Sequence, residues 1–250
     1  MGLARRAGCF TLGGMVHRAG RPTGPELARY IEHTLLRPDA TRAQIEKLCE
    51  EARTHGFYGV CVNGSRVELA SYLLEETEVR VVAVVGFPLG AMSADAKRFE
   101  TEAAVDDGAH EIDMVMNIGL LKDGEYKRLL RELRDVVEAA EERPVKVILE
   151  TCLLTQEEKV QACQLVLDSG ARFVKTSTGF GPGGATVEDV RLLRETVGDR
   201  LGVKASGGIR DTAAALAMIE AGADRIGTSS GVAILRGLGM VEGPGHGGGG

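Results

Sequence analysis

The chain has 250 residues, 44% of them hydrophobic and 26% charged, with a formal net charge of −6. That balance describes a soluble globular protein with room for one large domain, and basic residues interspersed with acidic ones exclude nucleic acid as the main partner. No apolar run approaches the length that spans a bilayer, so an integral membrane role is excluded as well. The cysteines Cys9, Cys49, Cys61, Cys152 and Cys163 form no CxxC pair and read as reduced thiols of a cytoplasmic protein. The histidines form no HxH or HxxxH ligand pair, so no metal is expected, and no other cofactor.

Taken in chain order, residues 1–24 combine Arg5-Arg6 with a short, Gly-rich apolar stretch and lack a clean cleavage site; they are expected to form a flexible extension. From Tyr30 onward, β-branched runs alternate with amphipathic segments. Strands are predicted over Tyr30–Leu35, Gly59–Asn63, Val79–Phe87, Glu111–Ile118, Val145–Glu150, Phe173–Ser177, Leu201–Ala205 and Arg225–Thr228. Helices are predicted over Thr41–His55, Ser93–Asp107, Gly124–Glu142, Thr155–Asp168, Thr186–Val197 and Thr212–Ala221, several opening on Ser or Thr and closing before Gly. Residues 241–250 are expected to be a flexible Gly-rich tail. Strict alternation implies a parallel sheet, and eight units over residues 25–240 fit a single-domain α/β fold of the closed (β/α)8 TIM-barrel type.

In such barrels the reacting groups stand at the C-terminal ends of the strands. Lys175, in Val174-Lys175-Thr176-Ser177-Thr178-Gly179, and Lys204, in Lys204-Ala205-Ser206-Gly207-Gly208, fall there on neighbouring strands. A lysine in an apolar β-run is costly unless paired or put to use. One cation beside another lowers an amine's proton affinity, and a neutral amine can attack a carbonyl to form a Schiff base. Lys175 is taken as the nucleophile, because hydroxyls follow it, and Lys204 as the cation that perturbs it. The alternative is that each ammonium reaches solvent or a carboxylate at the rim. Strand parity puts Glu111, Asp113, Val115 and Asn117 inward from the fourth strand and Ile112, Met114 and Met116 outward. It also turns Glu32, Thr34, Cys61, Asn63, Lys146, Glu150, Ser177 and Ser206 inward. Asp113 is the candidate proton relay, through a water; Glu32, Thr34, Asn63 and Glu150 are read as supports of the polar network, and Cys61 as an apolar thiol.

Glycine-rich turns follow the sixth, seventh and eighth strands. Glycines let main-chain N–H groups approach phosphate oxygens closely, and barrels hold phosphates with the loops after strands seven and eight. The substrate-binding candidates are Thr34, Thr178, Gly179, Gly207, Gly208, Ser229 and Ser230.

Four segments, Glu32-His33-Thr34-Leu35-Leu36-Arg37-Pro38, Glu111-Ile112-Asp113-Met114-Val115 and the two lysine motifs, occur in an order that resembles the 2-deoxyribose-5-phosphate aldolase family. The resemblance covers about Tyr30 to Leu238. It implies a class I aldehyde-lyase on a (β/α)8 barrel, with Lys175 forming the imine, Lys204 perturbing it or donating a proton, and Asp113 assisting proton transfer. The implied reaction is reversible cleavage of 2-deoxy-D-ribose 5-phosphate to acetaldehyde and D-glyceraldehyde 3-phosphate in deoxyribonucleoside catabolism. A small sugar phosphate is then the partner, with a homodimer or homotetramer as the assembly. Phe180 stands where some members carry a lysine, so main-chain N–H groups are expected to hold the phosphate. A barrel aldolase for another sugar phosphate, and a phosphometabolite-binding barrel without turnover, remain open at this level.

Overall fold

The computed structural model describes residues 22–238. The expected extension over 1–24 and tail over 241–250 lie outside these, except for residues 22–24, where the first helix begins. The elements run α1 (Gly24–Ala28), β1 (Ile31–Leu35), α2 (Arg42–His55), β2 (Gly59–Val62), α3 (Val67–Leu74), β3 (Arg80–Val85), α4 (Ala94–Asp106), β4 (Glu111–Val115), α5 (Ile118–Lys122) and α6 (Tyr126–Ala139). They continue with β5 (Val145–Ile148), α7 (Gln156–Ser169), β6 (Phe173–Lys175), α8 (Val187–Val197), β7 (Gly202–Ser206), α9 (Thr212–Glu220), β8 (Arg225–Thr228) and α10 (Gly231–Arg236).

All eight expected strands are present and parallel, and β8 pairs with β1 to close the barrel in sequence order. The larger helices start where the sequence supplies an acceptor. Thr41, Ser93, Thr155, Thr186 and Asp211 each accept a hydrogen bond from an N–H of the first turn. Gly56 (φ 65°) and Gly170 (φ 89°) close α2 and α7 in the left-handed conformation that glycine adopts without cost.

The main core lies between barrel and helices. Ile112, Met114 and Met116 pack there in the same cluster as Leu129, Leu133 and Val136 of α6, as their outward parity requires; burying such a side chain contributes roughly 1.5–3 kcal/mol. Inside the barrel, Leu36, Cys61, Val82 and Val84 form a small apolar cluster against Phe87.

Four helices were not foreseen. α1, α5 and α10 have five, five and six residues, too short for periodicity to register, and α3 follows a 3-10 turn, Gly64–Arg66, that blurs its start. Five strands also stop earlier than expected, β2 at Val62 and β3 at Val85 among them. β4 ends before Asn117, whose side chain accepts from Leu120 N (3.1 Å) and caps α5 instead of pointing into the barrel. β5 ends before Glu150, a non-glycine residue at φ 54°, and β6 ends at Lys175.

Candidate active site

Strand register assembles the polar interior. Lys175 is opposite Lys204 across β6 and β7, and Asp113 is opposite Lys146 across β4 and β5. Asp113 is the hub: its Oδ2 lies 2.8 Å from Lys175 Nζ and 2.6 Å from Lys204 Nζ, and its Oδ1 lies 2.9 Å from Lys146 Nζ. Lys146 Nζ is also 2.6 Å from Glu111 Oε2 and 3.5 Å from Glu32 Oε1, while Lys204 pairs with Glu32 Oε2. Three ammonium groups thus face three carboxylates. Below them the Tyr58 hydroxyl donates to Glu111, and the Arg225 guanidinium lies 3.7 Å from the centroid of the Tyr58 ring.

For Asp113, Glu111, Lys146 and Lys204 burial opposes the charge, and the partners outweigh it. For Asp113, burial raises the carboxyl, but Lys146, Lys175 and Lys204 hold it well below the usual range. For Lys146, burial lowers the amine, but Asp113, Glu111 and Glu32 hold it well above the ordinary lysine value. Lys204 is likewise held above its ordinary value by Asp113 and Glu32 against the effect of burial. The Cys61 thiol is pushed up to about 11 by burial, which suits an inert apolar role.

The sequence sets two cations side by side; the structure adds a carboxylate oxygen between them. Asp113 touches both amines directly. Only Lys175 of the three lysines lines the cavity at the C-terminal mouth, a cavity of about 310 Å³. That size is at the lower end of small-ligand pockets.

Of the expected binding residues, Thr34, Thr178, Gly179, Gly207, Gly208 and Ser229 line this cavity. Ser230 does not: it sits at the N-cap of α10, its N–H donated to Thr228 Oγ1 at 2.9 Å. Gly179, Gly207 and Gly208 have φ values of 85°, 89° and 81°. Their main-chain N–H groups have no protein acceptor among the described residues, as an anion cradle requires. The polar supports are also located. Thr34 Oγ1 donates to Glu32 O (2.9 Å), Asn63 Nδ2 to Leu36 O (3.1 Å), and Thr178 Oγ1 to Glu150.

Sequence reasoning missed three features. Lys146 has only its inward parity in the sequence, yet it bridges all three carboxylates; its signal was the charge alternation with Asp113 on the adjoining strand. Arg210 and Arg37 both line the cavity, so cations are present although position 180 is Phe. Arg37 is taken up by Asp39 (2.9 and 2.5 Å), whereas Arg210 is exposed and makes no ion pair among the described residues. The signal for Arg210 was its position directly after Gly207-Gly208-Ile209. Tyr58 and Arg225 are far from Glu111 in sequence, and nothing local announced their meeting.

Residues 28–237 match the model of a family described as DeoC/LacD family aldolase. The chain is 59% identical over 223 residues to a deoxyribose-phosphate aldolase of Thermococcus gammatolerans, covering 88% of this chain and 99% of the relative. It is 59% identical over 210 residues to one of Alkaliphilus oremlandii, covering 84% and 95%. Among solved structures, the tetrameric deoxyribose phosphate aldolase of Aeropyrum pernix superposes with a TM-score of 0.82 at 34% identity, covering 88% of this chain and 94% of that one. A matched family model over most of the length, together with relatives at this identity, establishes that the chain belongs to the DeoC/LacD family of aldolases.

Proposed function

We propose that this aldolase is an aldehyde-lyase that reversibly cleaves 2-deoxy-D-ribose 5-phosphate to acetaldehyde and D-glyceraldehyde 3-phosphate through a Schiff base on Lys175, and so serves deoxyribonucleoside catabolism. The observation that carries the reading is that Lys175 alone of the three clustered lysines lines the cavity, its amine 2.8 Å from Asp113 Oδ2.

Lys175 first gives up a proton, for which Asp113 Oδ2 is the adjacent acceptor, and the oxygen's second contact with Lys204 offers an onward path. The neutral amine attacks C1 of the open-chain sugar, and the carbinolamine loses water to give the iminium. The 3-hydroxyl then loses its proton, the C2–C3 bond breaks, and its electron pair moves toward nitrogen to form the enamine. D-glyceraldehyde 3-phosphate leaves. Protonation at C2 and hydrolysis release acetaldehyde and restore the amine, so the water lost at dehydration is returned. The Lys204 ammonium, held charged by Asp113 and Glu32, stabilises oxyanions that form nearby and serves as proton donor.

The phosphate fits the turns at Gly179 and Gly207-Gly208 with Ser229, and the Arg210 guanidinium at their rim supplies a countercharge. Arg210→Ala is expected to raise KM for the phosphorylated substrate about tenfold, the worth of one charge-assisted hydrogen bond, and to flatten the salt dependence of KM. A KM and salt response equal to the parent's would remove Arg210 from the site.

The direct test of the function is borohydride reduction in the presence of acetaldehyde, followed by peptide mapping. A single ethyl group on Lys175 is expected; modification at Lys146 or Lys204, or none, overturns the reading. The assembly is read as a homodimer or homotetramer of the cytoplasm, supported by the exposed apolar side chains of Tyr72, Leu89 and Phe99 (73%, 76% and 72% accessible) and by the tetrameric Aeropyrum relative.

A further inference from the structure

Glu150 is a buried carboxyl that the steps above do not use. It follows β5, is only 4% accessible and has no ion-pair partner among the described residues. A non-glycine residue at φ 54° and ψ 63° is held in a sparsely populated conformation that persists only where the surroundings impose it. A buried carboxyl without a cation is likewise unfavourable unless its oxygens accept hydrogen bonds. Both departures at one position point away from a purely structural origin.

The oxygens of Glu150 accept chiefly from Thr178, with the Cys152 thiol a longer contact 3.9 Å from Oε1. Thr178 N lies 3.3 and 3.4 Å from Oε1 and Oε2, and the Thr178 hydroxyl donates to Oε2. The same hydroxyl accepts from Phe180 N at 3.0 Å. A relay therefore runs from the carboxylate through the Thr178 hydroxyl to the main chain of residue 180, and it fixes the turn at Gly179. It also occupies the Thr178 hydroxyl, which leaves that residue's hydroxyl proton unavailable to a substrate. Gly181 packs on the carboxyl so closely that an added Cβ would lie 3.1 Å from Cδ. At the far end of the same loop Ala185 N donates to Ser206 O (3.1 Å) and Gly207 O (3.0 Å). There Gly184 abuts Gly207, with an added Cβ only 2.3 Å from Gly207 O. The loop after β6 is thus pinned at one end by Glu150 and at the other by the turn after β7. Both turns line the cavity.

We propose that Glu150 is a positioning residue that sets selectivity for the phosphorylated substrate, acting through Thr178 to hold the Gly179 and Gly207 turns at the spacing an oxyanion requires. The inference rests on the function proposed above. Imine formation at Lys175 does not depend on this spacing; capture of the phosphate does.

The test compares kcat/KM for 2-deoxyribose 5-phosphate and for unphosphorylated 2-deoxyribose in the parent, Glu150→Ala and Glu150→Gln, with ethyl trapping at Lys175 as a separate readout. Glu150→Ala is expected to lower the ratio of the two kcat/KM values about tenfold or more, chiefly through KM of the phosphorylated substrate, as loss of a charge-assisted anchor predicts. Trapping should continue. Glu150→Gln keeps a carbonyl acceptor for Thr178 and should restore most of the ratio. An unchanged ratio in Glu150→Ala overturns the inference, as does an equal loss on both substrates or a Glu150→Gln variant as poor as Glu150→Ala. If Glu150→Ala fails to fold, Thr178→Val and Thr178→Ser decide: the ratio must fall in the first and return in the second, and any other pattern overturns the inference. A parent that traps no ethyl group and cleaves neither sugar refutes the proposed function itself, a result distinct from all of these.

Discussion

Lys175→Met is expected to lower kcat for cleavage by at least about 10⁴-fold, the scale on which removal of a covalent nucleophile acts, while the barrel stays folded. The expectation of an intact fold follows from the ion cluster. Asp113 loses one of three cations but keeps Lys146 at 2.9 Å and Lys204 at 2.6 Å, and the methionine side chain fills the vacated stem. Lys175→Arg separates two roles that alanine or methionine would merge. Arginine keeps the positive charge next to Asp113, but its guanidinium does not deprotonate at working pH and cannot attack a carbonyl. Activity near the parent's in Lys175→Arg would show that position 175 supplies charge alone, and a rate loss under tenfold in Lys175→Met would transfer the nucleophile elsewhere. Circular dichroism and a thermal melt check that either variant is folded.

The second large effect concerns stability. Lys146→Met removes the cation shared by Asp113, Glu111 and Glu32, and leaves Glu111, 4% accessible, with the Tyr58 hydroxyl and the more distant charge of Arg225. Breaking a buried ion pair from one side costs about 3–5 kcal/mol, because a charge is left uncompensated; for a domain of this size the melting temperature should fall by roughly 6–20 °C. The pH dependence follows from the directions of the shifts. Lys146 is held above its ordinary value, so its stabilisation is complete below the unfolded-state value of about 10.4 and is lost as pH rises through the folded value. Asp113 and Glu111 are held below theirs, so their stabilisation is complete above about 4 and is lost as pH falls further. The parent should therefore be most stable across the neutral range. The variant's deficit should be largest there and narrow in acid, where a stranded Glu111 can take up a proton. Equal melting temperatures at neutral pH would mean that water or a local rearrangement replaces Lys146.

Much of the barrel was legible because its signals are local. Period-two alternation fixed which residues of β4 face inward, and Asp113 and Met114 fall on the sides that their parity assigns. Helix starts were equally readable at Thr41, Thr155 and Thr186, where a side-chain acceptor meets the first free N–H groups. Lys175 and Lys204 were visible because an amine in an apolar strand calls for a reason. What was not legible depends on distance in sequence. Glu32 and Lys204, 172 positions apart, meet only because β8 closes onto β1 beside β7, so the compensation of Lys204 could not be read from its own motif. Asn117 and Glu150 were read as continuing their strands, but a side-chain cap and a left-handed backbone end those strands early. Arg210 carries no signal of its own, because the backbone donors of the Gly207-Gly208 turn already account for an anion site in that loop.

The matching of three ammonium groups to three carboxylates bears on how a covalent intermediate is accommodated. In the proposed cycle the resting Lys175 ammonium and the iminium that replaces it each carry one positive charge. Covalent attachment of the sugar therefore preserves charge parity inside the barrel, and no counter-ion has to enter or leave a water-poor interior for the intermediate to accumulate. Parity is interrupted wherever the nitrogen is uncharged, at the free amine, at the carbinolamine and, after the carbon–carbon bond breaks, at the enamine, when the cluster carries one negative charge in excess. At that stage the interior attracts a proton, and C2 must receive one.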